Sequence, residues 1–166
     1  MSHNDQPTHA SPHAGRNGLR PYLMLGAMFV LHVIAMYVLM YAMVDRFGNV
    51  IPNRNQLYMA FLMASPMVAF ELLLMRSMYP SRIWNLLLGF ASILVLVGAF
   101  ALIRGQTAID DREFLRSMIP HHAGAILMCD RADIRDPEIV ALCDGIRAGQ
   151  QQEIDFMKAK LDALGG

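Results

Sequence analysis

Met118-Ile-Pro-His-His-Ala-Gly-Ala-Ile-Leu-Met128 sets two adjacent histidines between two methionines. Phe114, Met118, Ala125 and Met128 recur at the spacing of one helix face, so the stretch reads as part of an amphipathic helix. Two imidazoles and two thioethers within about three turns form a donor set that suits a soft or borderline metal such as copper or silver better than a hard one.

Asp110, Asp111 and Glu113 favour a helix start through the dipole. Pro120 either kinks that helix or opens a new one, and in both cases leaves the Arg116 carbonyl short of its usual donor. Ile134-Arg-Asp-Pro-Glu138 makes a turn, with Asp136 as N-cap and Pro137 as first residue of a second helix that runs to about Leu164. The apolar face of that helix is Ile139, Leu142 or Cys143, Ile146, Ile154, Met157, Leu161 and Leu164. The two helices form a hairpin. A projection at about 100° per residue puts His121 and His122 on either side of the Met118 and Ala125 line, bordering the buried seam. Met118, His121, His122 and Met128 are therefore the leading metal ligands, with Gln150, Glu153 and Met157 facing them from the second helix. A lone histidine would read as a hydrogen-bonded structural residue; an adjacent pair flanked by methionines favours metal. Cys129 is a further soft donor. It and Cys143 are the only cysteines and show no CxxC, so the spacing predicts neither a disulfide scaffold nor a zinc knuckle.

Ahead of the hairpin the composition changes. The chain of 166 residues is 55% hydrophobic and 17% charged with a mean hydropathy of +0.34, which is the profile of a membrane protein. Three apolar runs, 22–44, 57–79 and 83–103, are each long enough to cross about 30 Å of hydrocarbon as a helix. Three spans put the N-terminal segment and the hairpin on opposite sides. Arginines flank both sides and fix no orientation: Arg16, Arg20, Arg76 and Arg82 against Arg46, Arg54, Arg104, Arg112 and Arg116. Residues 1–104 carry seven Lys/Arg against three Asp/Glu, and residues 105–166 carry seven against eleven, so no basic patch suggests nucleic-acid binding. Residues 1–20, rich in Ser, His, Pro, Asn and Gly, read as a disordered tail in which His3, His9 and His13 could hold metal weakly. The tail lacks the order of a secretory signal, and the run behind it reads as an anchor.

Within the spans, Met24, Met28, His32, Met36 and Met40 fall at four-residue intervals, as do Met59, Met63, Met67, Glu71 and Met75. Methionine ridges of this kind commonly pack helix on helix. Each ridge, however, holds one ionisable residue, and such residues inside a membrane usually face a partner or a pathway. His32 and Glu71 are expected to pair, with Met28, Met36, Met63 and Met67 forming a ladder for a soft cation around them. Pro66 predicts a bend that frees the Leu62 carbonyl, and the third span reads as a structural helix packing through Gly89 and Gly98.

The hairpin resembles the family catalogued as domain of unknown function 305. The resemblance covers about residues 110 to 164 and rests on Phe114, Met118-Ile-Pro-His121-His122, Gly124, Ala125, Met128, Asp136-Pro137-Glu138, Ile146, Gln150, Glu153, Ile154 and Met157. It implies a ferritin-like helical fold, a bacterial secreted or membrane-attached setting, and copper binding or tolerance through Met and His. One hairpin stands where the fuller fold has four helices, and Lys160 stands where the family often has an aromatic. Two chains are therefore expected to pair into a four-helix bundle.

The expectation is an all-α chain: a tail over 1–20, three transmembrane helices over 21–104, and an antiparallel hairpin over 105–166 that is half of a ferritin-like bundle. It would be a multi-pass protein of the bacterial inner membrane, with the hairpin periplasmic or extracellular. It would bind copper and the lipid bilayer, and would form a homo-oligomer. A metal-ion permease using the membrane ladders is the alternative, and a non-metal dimerisation module the third reading. No Glu-x-x-His, catalytic triad or phosphate loop points to an enzyme.

Overall fold

A computed structural model describes residues 18–165. Residues 1–17, including His3, His9, His13 and most of the expected tail, lie outside the described residues. Among the described residues there are five α-helices and no strand: α1 Arg20–Leu39, α2 Arg54–Leu74, α3 Arg82–Arg104, α4 Asp111–Arg131 and α5 Pro137–Ala163. The first three are long and apolar enough to cross a membrane.

Local chemistry accounts for the ends. Pro21 sits in the first turn of α1, where a missing N–H costs nothing. The helix tightens at its far end into a 3-10 turn, Met40–Met43. Asn53 caps α2 by accepting from the Gln56 N–H, and Ser81 caps α3 by accepting from the Trp84 N–H. Pro66 lies inside α2, and the Ser65 hydroxyl donates to the Leu62 carbonyl that the proline was expected to leave free.

α2 packs between α1 and α3. Leu25 clusters with Val68 and Leu72, and Val33 with Ala60 and Ala64, so α1 and α2 run antiparallel with paired residue numbers summing to about 95. That register overturns the expected His32–Glu71 pair. Glu71 lies opposite the region of Met24, roughly 12 Å along the axis from His32 at 1.5 Å per residue, and it accepts instead from the Tyr79 hydroxyl. In α3 the small buried residues are Ser92 and Ala99, whereas Gly89 and Gly98 have open space beside them, so the glycines do not make the close packing expected of them.

α4 and α5 form the antiparallel hairpin. Asp110 caps α4, Asp136 caps α5 by accepting from Glu138 and Ile139, and Pro137 is the first helical residue, as expected. α4 passes through Pro120 as one helix. Its seam is rotated from the expected line: Leu115, Ile119, Ala123 and Ile126 pack on Ile154, Met157 and Leu161, while Phe114 and Met128 stay exposed. On α5 it is Cys143 that is buried, with Leu142 and Ile139 outside. The rotation has a plain cause. α4 carries two apolar stripes, and the segment between α1 and α2 covers part of the second, placing Val44 and Ile51 against the hairpin core and Met43 against Gly124.

Polar contacts lock the hairpin to the three long apolar helices. The Arg54 backbone N–H, at the first turn of α2, donates to Glu113 Oε2 at 2.9 Å, and Glu113 is buried. The Arg54 guanidinium donates to the Ala108 carbonyl and the Tyr58 hydroxyl to that of Thr107. These hold the α3–α4 turn, where Gln106 and Ala108 adopt left-handed φ of 46° and 57° without being glycine. On the α5 side, Lys158 donates to Asn49, Asn49 to Asp45, and Arg46 to both Asp45 and Gln151.

Removing the Glu113 carboxylate strands the first N–H of α2 in a buried junction, at a cost of about 1–3 kcal/mol. Glu113→Ala should lower the thermal unfolding midpoint in detergent micelles clearly more than Glu113→Gln, which keeps an oxygen acceptor. Acid should act through two other carboxyls. Burial pushes Asp45 up, but hydrogen bonds from Arg46 and Asn49 outweigh it and hold it below 3.8. Asp110 is held below 3.8 by the Glu113 N–H. Groups depressed in the folded state stabilise it above their ordinary pKa, and that contribution fades as pH falls through the folded value. The midpoint is expected to be level from neutrality to about pH 4 as far as these groups act, and to drop below it.

Candidate functional site

The structure divides the seven expected ligands into two groups. His122, Gln150, Glu153 and Met157 belong to the α4–α5 seam. His122 Nδ1 lies 2.8 Å from the Met118 carbonyl oxygen, to which it must donate. That leaves Nε2 facing Glu153 Oε2 at 2.8 Å. The Gln150 amide reaches the same Glu153 oxygen at 3.5 Å, and the Met157 thioether is packed in the core. A histidine with one nitrogen tied to a backbone carbonyl is oriented as metal ligands usually are, but here its other nitrogen already has a carboxylate partner bridging the helices.

Met118, His121 and Met128 form the second group. They line a cavity of about 510 Å³ beside α4, with Met118 also packed against the hairpin core. Met40 and Met43 at the end of α1, and Met59 near the start of α2, supply the opposite wall. Asn53, Asn55, Gln56 and Ser117 add neutral polar groups, and among the described residues no Asp, Glu, Lys or Arg lines the space. The rings of His121 and His122 stand edge to face with centroids 6.0 Å apart, so the adjacent histidines look into different environments.

The donor chemistry discriminates among metals. Among the described residues no three His, Cys, Asp or Glu side chains gather as a metal-sized cluster. The soft donors that line the cavity are thioethers and one imidazole, ligand types that suit soft or borderline metals. Cys129 is not a candidate thiolate. It is joined to Cys143 in a disulfide, with the α-carbons 5.4 Å apart, and the expectation of no disulfide is corrected. The cysteines sit in the last turn of α4 and the second turn of α5, which any tight hairpin brings together; a CxxC search misses such a pair.

The expected membrane ladder does not form one line. Met28 and Met63 are exposed on the outside of the helices, and Met67 packs with Leu25, Val68 and Leu72. Met36 lies against the Val33, Ala60 and Ala64 cluster, with His32 half-buried, and Glu71 is turned toward Tyr79. Reasoning from sequence missed Met43 and did not connect Met40 and Met59 with the hairpin. Met43 stands three residues after Met40, on the same side of a helix as the Met36 and Met40 ridge, and that was the available signal.

Fold and site define an all-helical chain in which three long apolar helices carry a helical hairpin with a methionine-lined face. The chain belongs to the family described as domain of unknown function (DUF305), whose model matches residues 101–165. It is 34% identical over 146 residues to the uncharacterized protein L153 of Acanthamoeba polyphaga mimivirus, with 84% of this chain and 94% of that protein covered. The likeness thus reaches well past the hairpin into the apolar helices, and that relative is viral where the resemblance pointed to bacteria. No solved structure matches.

The disulfide generates a prediction. Closing a loop with a sequence separation of 14 is worth about 3 kcal/mol in the chain-entropy account. Reductant, or Cys129→Ser with Cys143→Ser, should cut amide-exchange protection around residues 126–146 and leave that of α2 and α3 unchanged.

Proposed function

We propose that this protein is a membrane-anchored binder of a soft metal ion, copper(I) above all, serving metal homeostasis or tolerance. The observation that carries the reading is the face of α4 on which Met118, His121 and Met128 open into one neutral cavity. Neutral thioethers and imidazole add no charge, so a monovalent ion leaves the smallest uncompensated charge in a space without carboxylates. Membrane anchorage is supported by the apolar surface that α1–α3 leave uncovered, including Leu31, Leu73, Leu86 and Phe90. With three spans the hairpin and residue 18 lie on opposite sides. The Cys129–Cys143 disulfide supports placing the hairpin on the oxidising side, periplasmic or extracellular.

A permease has less in its favour, because His32 and Glu71 sit at different depths and Met28 and Met63 face outward. Pairing of two chains is supported by the apolar residues Phe114, Ile139, Leu142 and Phe156 exposed on the hairpin. The segment 44–51 nonetheless fills part of the face on which a second hairpin was expected.

The test is a copper(I) titration of the full chain in detergent micelles against a competing chelator, with the copper kept reduced by ascorbate so that the Cys129–Cys143 disulfide stays closed. Wild type is expected to bind, and Met118→Leu/His121→Ala/Met128→Leu to lose binding while keeping its helical content. Equal affinity in the two proteins would overturn the reading.

A further inference from the structure

The family model covers residues 101–165, yet three of the cavity's five thioethers come from outside it. Met40 and Met43 lie in the 3-10 turn that ends the first span, and Met59 in the second turn of α2. We infer that these three membrane-segment methionines complete the metal site, so that the ion is held between the hairpin and the mouth of the membrane helices. The inference rests on the soft-metal reading above and adds to it the location of the missing donors.

Three observations converge. First, the soft donors that the hairpin brings to the cavity are two thioethers, Met118 and Met128, and one imidazole, His121, while His122 is engaged by Glu153 and both cysteines by their disulfide. Second, the opposing wall offers three thioethers, Met40, Met43 and Met59, beside Val44 and the neutral amides of Asn53, Asn55 and Gln56. Methionine has three rotatable bonds, so thioethers on facing walls can close on an ion without moving the helices. Third, the two walls are held in place by contacts independent of any metal. Glu113 caps α2 one turn before Met118, and Gly124 brings α4 up to the Met43 carbonyl, where a β-carbon would stand 3.4 Å from it. The 3-10 turn also has its own anchor, since the Tyr41 hydroxyl donates to the Ile51 carbonyl. The walls are thus preformed, and only side-chain torsions remain to be ordered on binding.

The arrangement makes the ion a bridge. A metal held by both walls ties the end of the first span to α4. An isolated hairpin would have to make do with half of the donors.

The experiment uses the full chain in micelles and compares wild type, Met40→Leu/Met43→Leu/Met59→Leu, Met118→Leu/Met128→Leu, and Met28→Leu/Met63→Leu. The last pair lies exposed away from the cavity and serves as control. Leucine keeps the volume and apolarity. Affinity for copper(I) is read by chelator competition, and the number of sulfur neighbours by X-ray absorption at the copper edge. Even residues that only support ligands are worth about 10–100-fold in affinity. The membrane triple is therefore expected to weaken binding about a hundredfold or more, with fewer sulfurs around copper, while the control binds as wild type does. Silver(I), which needs no reductant, should give the same order. If the membrane triple binds with wild-type affinity and sulfur count while the hairpin double fails, the membrane donors are refuted and the hairpin site stands. If wild type takes up no copper(I) or silver(I), both readings fall together.

Discussion

The Glu113 carboxylate on the Arg54 N–H is the contact on which the rest of the structure depends. A helix N-terminus presents N–H groups without intrahelical partners, and a carboxylate there answers both the hydrogen bonds and the dipole. Asp110-Asp-Arg-Glu113 resembles a box in which the glutamate folds back on its own helix start. Here Asp110 accepts from the Glu113 N–H, but the glutamate side chain crosses to another helix, with Arg116 3.3 Å from its second oxygen. The hairpin is thereby fastened to the start of α2. That in turn decides which stripe of α4 faces α5 and which faces the methionines.

Much of the architecture was legible because it follows from short-range rules. Apolar runs of adequate length gave three long helices, and Asp136-Pro137 marked the start of α5 to the residue. What periodicity could not resolve was the rotation of α4. Leu115, Ile119, Ala123 and Ile126 form one apolar stripe and Met118, Ala125 and Met128 another, and the choice is made by residues 43–54, which no pattern inside the hairpin reveals. The His32–Glu71 pairing failed for a related reason. Spacing along each helix carries no information on the register between them, which is set by Leu25, Val33 and the alanines of α2.

The site shows the same division. Residue types pointed to sulfur and imidazole at two adjacent histidines, but adjacent positions on a helix point about 100° apart. His122 accordingly became a strut between helices, and His121 a wall of the cavity. The disulfide escaped because its partners meet through the tightness of the turn at Ile134-Arg-Asp-Pro137 rather than through a sequence motif. Met40, Met43 and Met59 escaped because they look like membrane packing until the hairpin is placed against them.

The Glu113 cap also has a consequence for biogenesis. Its two partners are 59 residues apart, with the whole of α3 between them. During synthesis α2 is made before the carboxylate that will satisfy its leading N–H, and until Glu113 follows only the Asn53 side chain caps that end. The hairpin can dock only once α3 has been made and has carried the chain back to the end of the bundle where α2 starts. The junction therefore closes after all three long helices have been made, and the two sides of the methionine-lined cavity meet with it.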